Sequence, residues 1–350
     1  MSDAIGQVEY GILPRSVPEG SVPLVLAEGT ARECGRMYAE AVLERYPGYR
    51  RYLDTIPSSG DLDTRTKQLI EQRAPYLMDI FGGMIDVAGL PQQPAASGDE
   101  GGCTSFGVSG IVTLDGQPIS GQTKDTVAKS AMLYIVLCMR VKDGPTILVL
   151  AYPGEVLGYG LWTTGMSVFR NSLHSKERSS RGMDHSLWAL TALAGESVQD
   201  AAELAQREGL RGVGNYLISD RDGHSASVEF NGGGVNVIHA DDGILAHANH
   251  PVGPDTARFE RERDEQLQVD SRHRAEDLCE LLASNRGQLT PQRAMMLLAD
   301  HRRYPMGICR HFGGSHERYT TAAVVAEPTR GHLHVIRGNP CCSWPTTYSA

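Results

Sequence analysis

Gly101-Gly102-Cys103-Thr104-Ser105 is the most informative stretch of this sequence. The glycine doublet closes a loose polar run, Pro91 to Gly102, and a strand-like run, Thr104 to Thr113, follows it. A chain cut before Cys103 would carry a thiol and a free α-amine on one residue, a nucleophile beside its own base. An α-amine titrates near ~8, far below a lysine, so it can take up a proton at neutral pH. Gly-Gly-Cys by itself fits a half-buried cysteine at a strand start better than a cleavage site. The surrounding chain has to decide between the two.

Downstream, strand-like runs follow in series at 104–113, 118–123, 133–141, 146–152 and 167–173. Asp115-Gly116 between the first two signals a hairpin. Helical patterns cover 186–194 and 198–209, the second capped by Ser197. Strands resume at 215–219, 225–230 and 235–239. Two helices are expected at 275–284 and 291–300, then closing strands at 320–327 and 332–337. Upstream, 8–28 reads as one or two short strands. Thr30 and Glu33 have capping-box spacing, ahead of one apolar helix face formed by Cys34, Met37, Tyr38, Ala41 and Val42. A second helical region, 64–88, restarts at Pro75. Blocks of strands and helices of this kind predict an α+β fold with mainly antiparallel sheets. Each sheet needs its apolar face covered, and a four-layer αββα sandwich covers every face. Pro91 to Gly102 reads as an exposed, cuttable linker.

The 350 residues allow one large domain or two ordinary ones, and 41% apolar content allows a substantial core. A net charge of −9 argues against a nucleic-acid partner. No run of about 18 apolar residues suggests a membrane span, and the first twenty residues lack a secretory h-region. The seven cysteines are scattered, with no CxxC pair. Reduced thiols and a cytoplasmic location are therefore expected. His247 and His250 flank Asn249, and His301, His311 and His316 lie near Arg310, but no HExxH-type spacing joins them. No metal and no cofactor is expected. Gly232-Gly233-Gly234 is a turn with no helix behind it, so it is no phosphate loop. The run 258–263 alternates charge sign and reads as a solvated helix face.

Four fragments carry a family resemblance: Gly102-Cys103-Thr104, Gly121-Gln122-Thr123-Lys124-Asp125, His247-Ala248-Asn249-His250 and Ile308-Cys309-Arg310. In order and spacing they resemble the acyl-coenzyme A:6-aminopenicillanic acid acyltransferase family (peptidase C45-like) of the N-terminal-nucleophile hydrolases, which are cut autocatalytically before a cysteine. The resemblance implies cleavage between Gly102 and Cys103, giving an N-terminal segment 1–102 and a catalytic segment 103–350 that stay associated. It implies Cys103 as nucleophile, Asp125 as the residue that orients its α-ammonium, and Asn249 as an oxyanion donor. Asn171 and Gln122 are further oxyanion or substrate candidates. Arg310 would bind a carboxylate or steady Asp125. The implied activity is cleavage of a small N-acyl or β-aminoacyl amide through a thioester, the acyl group passing to water or an amine. Acyl-coenzyme A-dependent transfer of the penicillin-forming type is the alternative, as is a silent member that only binds. A cysteine peptidase with His250 as a separate base is a weaker third reading. The expected partners are the small substrate and the cleaved fragment, with a homo-oligomer allowed.

The departures from the family pattern are specific. The residue before the aspartate is often aromatic in the family; here it is Lys124. The serine that precedes Ile-Cys-Arg in penicillin-forming members is Gly307 here.

Overall fold

The computed structural model describes residues 22–47, 62–89, 102–262, 264–311 and 318–350. The linker expected at 91–102 lies outside these residues up to 101, as do positions 1–21 and His316.

Sixteen strands are described in chain order. They are β1 (Leu24–Gly29), β2 (Gly102–Val108), β3 (Ile119–Thr126), β4 (Ile135–Val141), β5 (Thr146–Ala151), β6 (Tyr159–Trp162), β7 (Ser167–Asn171), β8 (Met183–Asp184), β9 (Leu210–Arg211), β10 (Gly214–Ser219), β11 (Ser225–Asn231), β12 (Gly234–His239), β13 (Ile244–His247), β14 (Tyr319–Glu327), β15 (His332–Arg337) and β16 (Thr346–Ser349). One sheet has eight strands in the order β1-β4-β5-β6-β7-β10-β11-β12, and a second has six in the order β13-β2-β3-β14-β15-β16. Every neighbouring pair in these two sheets is antiparallel except β1 with β4.

The helices are α1 (Ala31–Arg45), α2 (Thr64–Arg73), α3 (Tyr76–Ala88), α4 (Ala128–Ala131), α5 (His185–Leu193), α6 (Val198–Glu208), α7 (Glu265–Ser284) and α8 (Pro291–Leu297). Helices α1 and α6 pack on the eight-stranded sheet, and α7 and α8 pack on the six-stranded one. The sheets face each other through β2, β3 and β14 against β7, β10 and β6. The architecture is α+β, an αββα sandwich, as expected.

Burial on both faces explains the largely apolar runs of β4, β5 and β14, whereas β2 and β3 are equally buried but carry polar side chains. In β14, Ala322, Val324 and Ala326 join the main core, while Ala323 and Val325 join the core beneath α7 and α8 with Phe106, Leu278, Leu282 and Met295. At the N-terminal side, Thr30 and Glu33 form both bonds of a capping box. Strand β1 pairs with β4 at the edge of the eight-stranded sheet, and helix α1 packs on both strands.

Several expectations need correction. Helix α7 begins at Glu265 rather than at 275. Its first turns bury Asp270, Ser271 and Arg274 instead of apolar residues, so hydrophobic periodicity does not report them. Asp125 lies inside β3, not after it. The connection from β2 to β3 spans residues 109–118, with Gly116 at φ +76° inside a longer loop. Over 258–262, the described part of that run, there is no helix face: Ala257–Phe259 is one 3-10 turn, and Glu260 pairs with Arg272. Strands β6, β13 and β16 have no sequence signal strong enough to be read, being four residues each.

Candidate active site

Strand alternation sorts the site into two faces. Across the β2–β3 ladder, Gly102 opposes Asp125, Cys103 opposes Lys124 and Ser105 opposes Gln122. Cys103, Ser105, Gln122 and Lys124 turn toward the eight-stranded sheet. Ser105 Oγ donates to Asn171 Oδ1 of β7 at 2.7 Å. Gly102, Thr104 and Asp125 turn toward α7. One strand start thus presents its sulfur to the space between the sheets and the groups around its nitrogen to a helix.

The helix-side face is a closed polar network. The main-chain N–H of Cys103 donates to Asn249 Oδ1 at 2.9 Å. Arg274 of α7 donates to the same Oδ1 at 2.8 Å, to the Cys103 carbonyl at 2.6 Å and to Thr104 Oγ1 at 2.7 Å. Its Nε donates to Asp270 Oδ2 at 2.9 Å, and Asp270 also takes the Nη2 of Arg310. Arg310 Nε lies 3.7 Å from Asp125 Oδ2, an ion pair without a hydrogen bond. Asp125 Oδ1 accepts from Thr320 Oγ1 at 2.8 Å. The order is Asp125, Arg310, Asp270, Arg274: two carboxylates and two guanidiniums, all buried. Charges this deep persist only when paired and hydrogen-bonded. Asp125 Oδ2 has no hydrogen-bond donor among the described residues. It sits 2.6 Å from where a Cβ on Gly102 would lie, so only glycine fits before the cysteine without moving the carboxylate.

Asn249 follows β13 and is held from three directions. Its N–H donates to Ser271 Oγ at 2.9 Å, and its Nδ2 donates to the Ser172 carbonyl at 2.9 Å. Its Oδ1 therefore faces Cys103 N. The loop behind it is braced by Glu229, which accepts from Val252 N at 2.8 Å, Gly253 N at 2.9 Å and Thr256 Oγ1, and meets His247 Nε2 at 2.7 Å. His250 Nδ1 shares a hydrogen bond with Ser271 Oγ at 3.0 Å. Burial, then His247 and two arginines, lower the pKa of His250 to about 3. A base that weak is poorly matched to neutral pH.

The sulfur-side face holds unspent polar groups. Both amide atoms of Gln122 and the Nδ2 of Asn171 have no hydrogen-bond partner among the described residues, although both side chains are buried. Each such amide costs about 1–3 kcal/mol unless something bonds it. Lys124 is 8% exposed. Its ammonium lies over the rings of Tyr159 at 5.1 Å and Tyr152 at 5.8 Å, and no ion pair neutralises it among the described residues. The nearby carboxylate of Glu155 is taken by Arg170 at 2.6 Å.

The structure thus brings Cys103, Gly102, Asp125, Asn249 and Arg310 together on the amine side, and Asn171, Gln122 and Lys124 on the sulfur side. Sequence reading missed Asp270 and Arg274. Their i, i+4 spacing, with the acid first, is a helix ion-pair signal, but nothing local says that the pair is buried.

The pH dependence of stability follows from two of these carboxylates. Burial pushes Asp270 upward, but Arg274, Arg310 and the Gly307 N–H outweigh it and hold its pKa below the ordinary range. Burial raises Glu229 too, but His247, Thr256 and Val252 N win and lower it. A depressed folded-state carboxylate stabilises above its unfolded pKa, and that contribution is lost as pH falls through the folded one. The urea midpoint is expected to hold near neutrality and drop from about pH 5 downward. Glu229→Gln should flatten the drop. A midpoint equal at about pH 6 and about pH 4 would count against the assignment.

Residues 113–341 match the family of acyl-coenzyme A:6-aminopenicillanic acid acyl-transferases. The chain belongs to this family. The match begins after Cys103, so within the acyl-transferase family reading the nucleophile rests on the local geometry above. Comparison with curated protein sequences gives no match. Among solved structures, the chain is similar to a mutant of a conjugated bile acid hydrolase from Clostridium perfringens, at 11% identity over 71% of this chain and 97% of that one, TM-score 0.45. It is also similar to a penicillin V acylase from Agrobacterium tumefaciens, at 12% identity over 68% and 75% of the two chains, TM-score 0.36. No helix among the described residues is long and apolar enough to cross a membrane.

Proposed function

We propose that this family member is a self-processing cysteine amidohydrolase. The observation that carries the reading is the main-chain nitrogen of Cys103, held by Asn249 Oδ1 at 2.9 Å beside a buried carboxylate, Asp125, whose Oδ2 lacks a donor among the described residues. In the precursor, the Cys103 sulfur attacks the Gly102 carbonyl. The peptide C–N bond breaks as the C–S bond forms, and the nitrogen takes the thiol proton. Water then hydrolyses the thioester, releasing the Gly102 carboxylate and the thiol. Asp125 Oδ2, across the ladder, receives the new α-ammonium. Segment 1–102 stays bound because β1 is a strand of the eight-stranded sheet beside β4, and α1 packs on both.

In turnover the sulfur attacks the substrate carbonyl. Asn249, the oxyanion donor that the resemblance implies, has its Nδ2 on the Ser172 carbonyl. The role is therefore assigned to Asn171 Nδ2 and the Gln122 amide, which have no hydrogen-bond partner among the described residues; such a donor is commonly worth ~3 kcal/mol. The leaving amine takes its proton from the Cys103 α-ammonium. The thioester then passes its acyl group to water, or to an amine where one binds, and the α-amine takes up the attacker's proton.

Lys124 refines the substrate. An ammonium across the ladder from the sulfur, with no carboxylate partner among the described residues, disfavours a cationic β-aminoacyl group and favours an acyl chain that ends in a carboxylate. Lys124→Met is expected to lower kcat/KM for such acidic acyl amides by about tenfold or more, while uncharged amides stay within about threefold. An equal loss on both classes would overturn the acidic-acyl assignment.

Intact mass and N-terminal sequencing of the purified protein test the central reading. Two fragments that co-elute, the larger beginning at Cys103, are expected. A chain that stays whole yet cleaves amides at full rate would sink it.

A further inference from the structure

A second group of reactive side chains lies away from Cys103 and takes no part in the chemistry above. His301, Cys309, His311 and Cys341 place one donor atom each so that all four lie within 4.8 Å of one another. Cys309 Sγ is 3.7 Å from Cys341 Sγ and 3.6 Å from His311 Nε2. Cys341 Sγ is 3.4 Å from His311 Nε2, which is 2.9 Å from His301 Nε2. We propose that these four residues form a closed, structural zinc site.

The spacing is close to that of tetrahedral zinc. Bonds of about 2.3 Å to sulfur and about 2.0–2.1 Å to nitrogen set edges of about 3.8 Å between sulfurs, about 3.6 Å between sulfur and nitrogen, and about 3.3 Å between nitrogens. The three edges among Cys309, His311 and Cys341 follow this pattern; the two imidazole nitrogens lie closer together, at 2.9 Å, and His301 lies within 4.8 Å of both sulfurs. A disulfide would instead need the sulfurs at about 2.05 Å, and neither Cys309 nor Cys341 is in one. Two thiolates with two imidazoles select zinc over the hard cations, which want oxygen. Four protein ligands leave no open position, so the ion would hold structure rather than activate water. An outer partner is present: Asn339 Nδ2 faces Cys309 Sγ at 3.4 Å and donates to the Arg310 carbonyl at 2.7 Å. Such contacts orient ligands and tune the metal.

The ligands come from the turn after α8 and from the segment past β15, which are distant in sequence. Cys309 and His311 bracket Arg310, whose guanidinium joins Asp270 and Asp125. The ion therefore pins the backbone of the one arginine that links both carboxylates. Chain spacing hides the site, because no two ligands stand in a familiar zinc motif.

The test uses the full chain, purified under reducing conditions, offered zinc and dialysed, with bound metal measured by mass spectrometry. About one zinc per chain is expected. Cys341→Ser, at an exposed position outside the packed core, and His301→Ala should each retain less than about a tenth of that. Cys342→Ser, whose sulfur neighbours Cys341 at 3.3 Å but lies outside the four, should keep its zinc. The cobalt-loaded protein should show the strong visible bands and sulfur charge transfer of a tetrahedral ion. If the ligand variants unfold, thiol titration of the wild type with a mercurial decides, with one zinc released per two thiols blocked. Full retention in Cys341→Ser overturns the proposal. So does reduced wild-type protein that takes up no zinc, whether or not a Cys309–Cys341 disulfide forms in its place.

Discussion

Cys103→Ala is expected to give a single uncut chain whose amide-cleaving rate is lower by roughly 10⁴–10⁶-fold. Both losses share one cause. In the proposed mechanism the sulfur at position 103 is the attacking atom in both the cut and turnover, and alanine offers no replacement. Folding should survive, because the substitution removes only a sulfur at a strand start whose ladder partners and nitrogen contact with Asn249 Oδ1 remain. Cys103→Ser separates chemistry from structure. Its oxygen can attack but is a poorer nucleophile and a poorer leaving group, so slow, partial processing is expected. The check is a time course of denaturing gels together with intact mass after exposure to acyl amides. An alanine variant that still processes, or still accumulates a covalent acyl adduct, would remove Cys103 from the mechanism.

The second large effect is predicted at Asp270, which takes no part in bond-making. Its carboxylate lies between the guanidiniums of Arg274 and Arg310. Asp270→Asn keeps the shape and removes the charge, leaving two buried cations with only Asp125 to balance them. Breaking a buried pair in this way commonly costs about 3–5 kcal/mol. The urea midpoint should fall accordingly. Adding Arg274→Met restores the balance of charge, so the double variant should be less unstable than the two single losses summed, by about 1 kcal/mol or more. Asp270→Asn within about 0.5 kcal/mol of the wild type would show that the chain of charges is not what holds this face together.

Much of the frame was legible in the residues. The Thr30 to Glu33 capping box, the restart at Pro75, the Ser197 cap and the closing strand 332–337 are local signals, and each appears where its residues stand. Strands such as β4 and β5 are legible because their apolar runs are nearly unbroken. The short strands were not, and one of them, β13, leads directly into Asn249. The first turns of α7 were lost for the opposite reason: their inward face is charged.

The sequence alone determined that a cysteine follows two glycines at the head of a strand, and which elements come in which order, since caps, turns and period-2 runs are encoded within a few residues. Only the tertiary structure decided that Lys124 has no carboxylate partner among the described residues, that Arg274 reaches the Cys103 carbonyl from a helix position 171 residues further along the chain, and that four metal-ligating side chains converge beside Arg310. A buried charge or a ligand atom acquires its meaning from neighbours through space, and no periodicity along the chain records those distances.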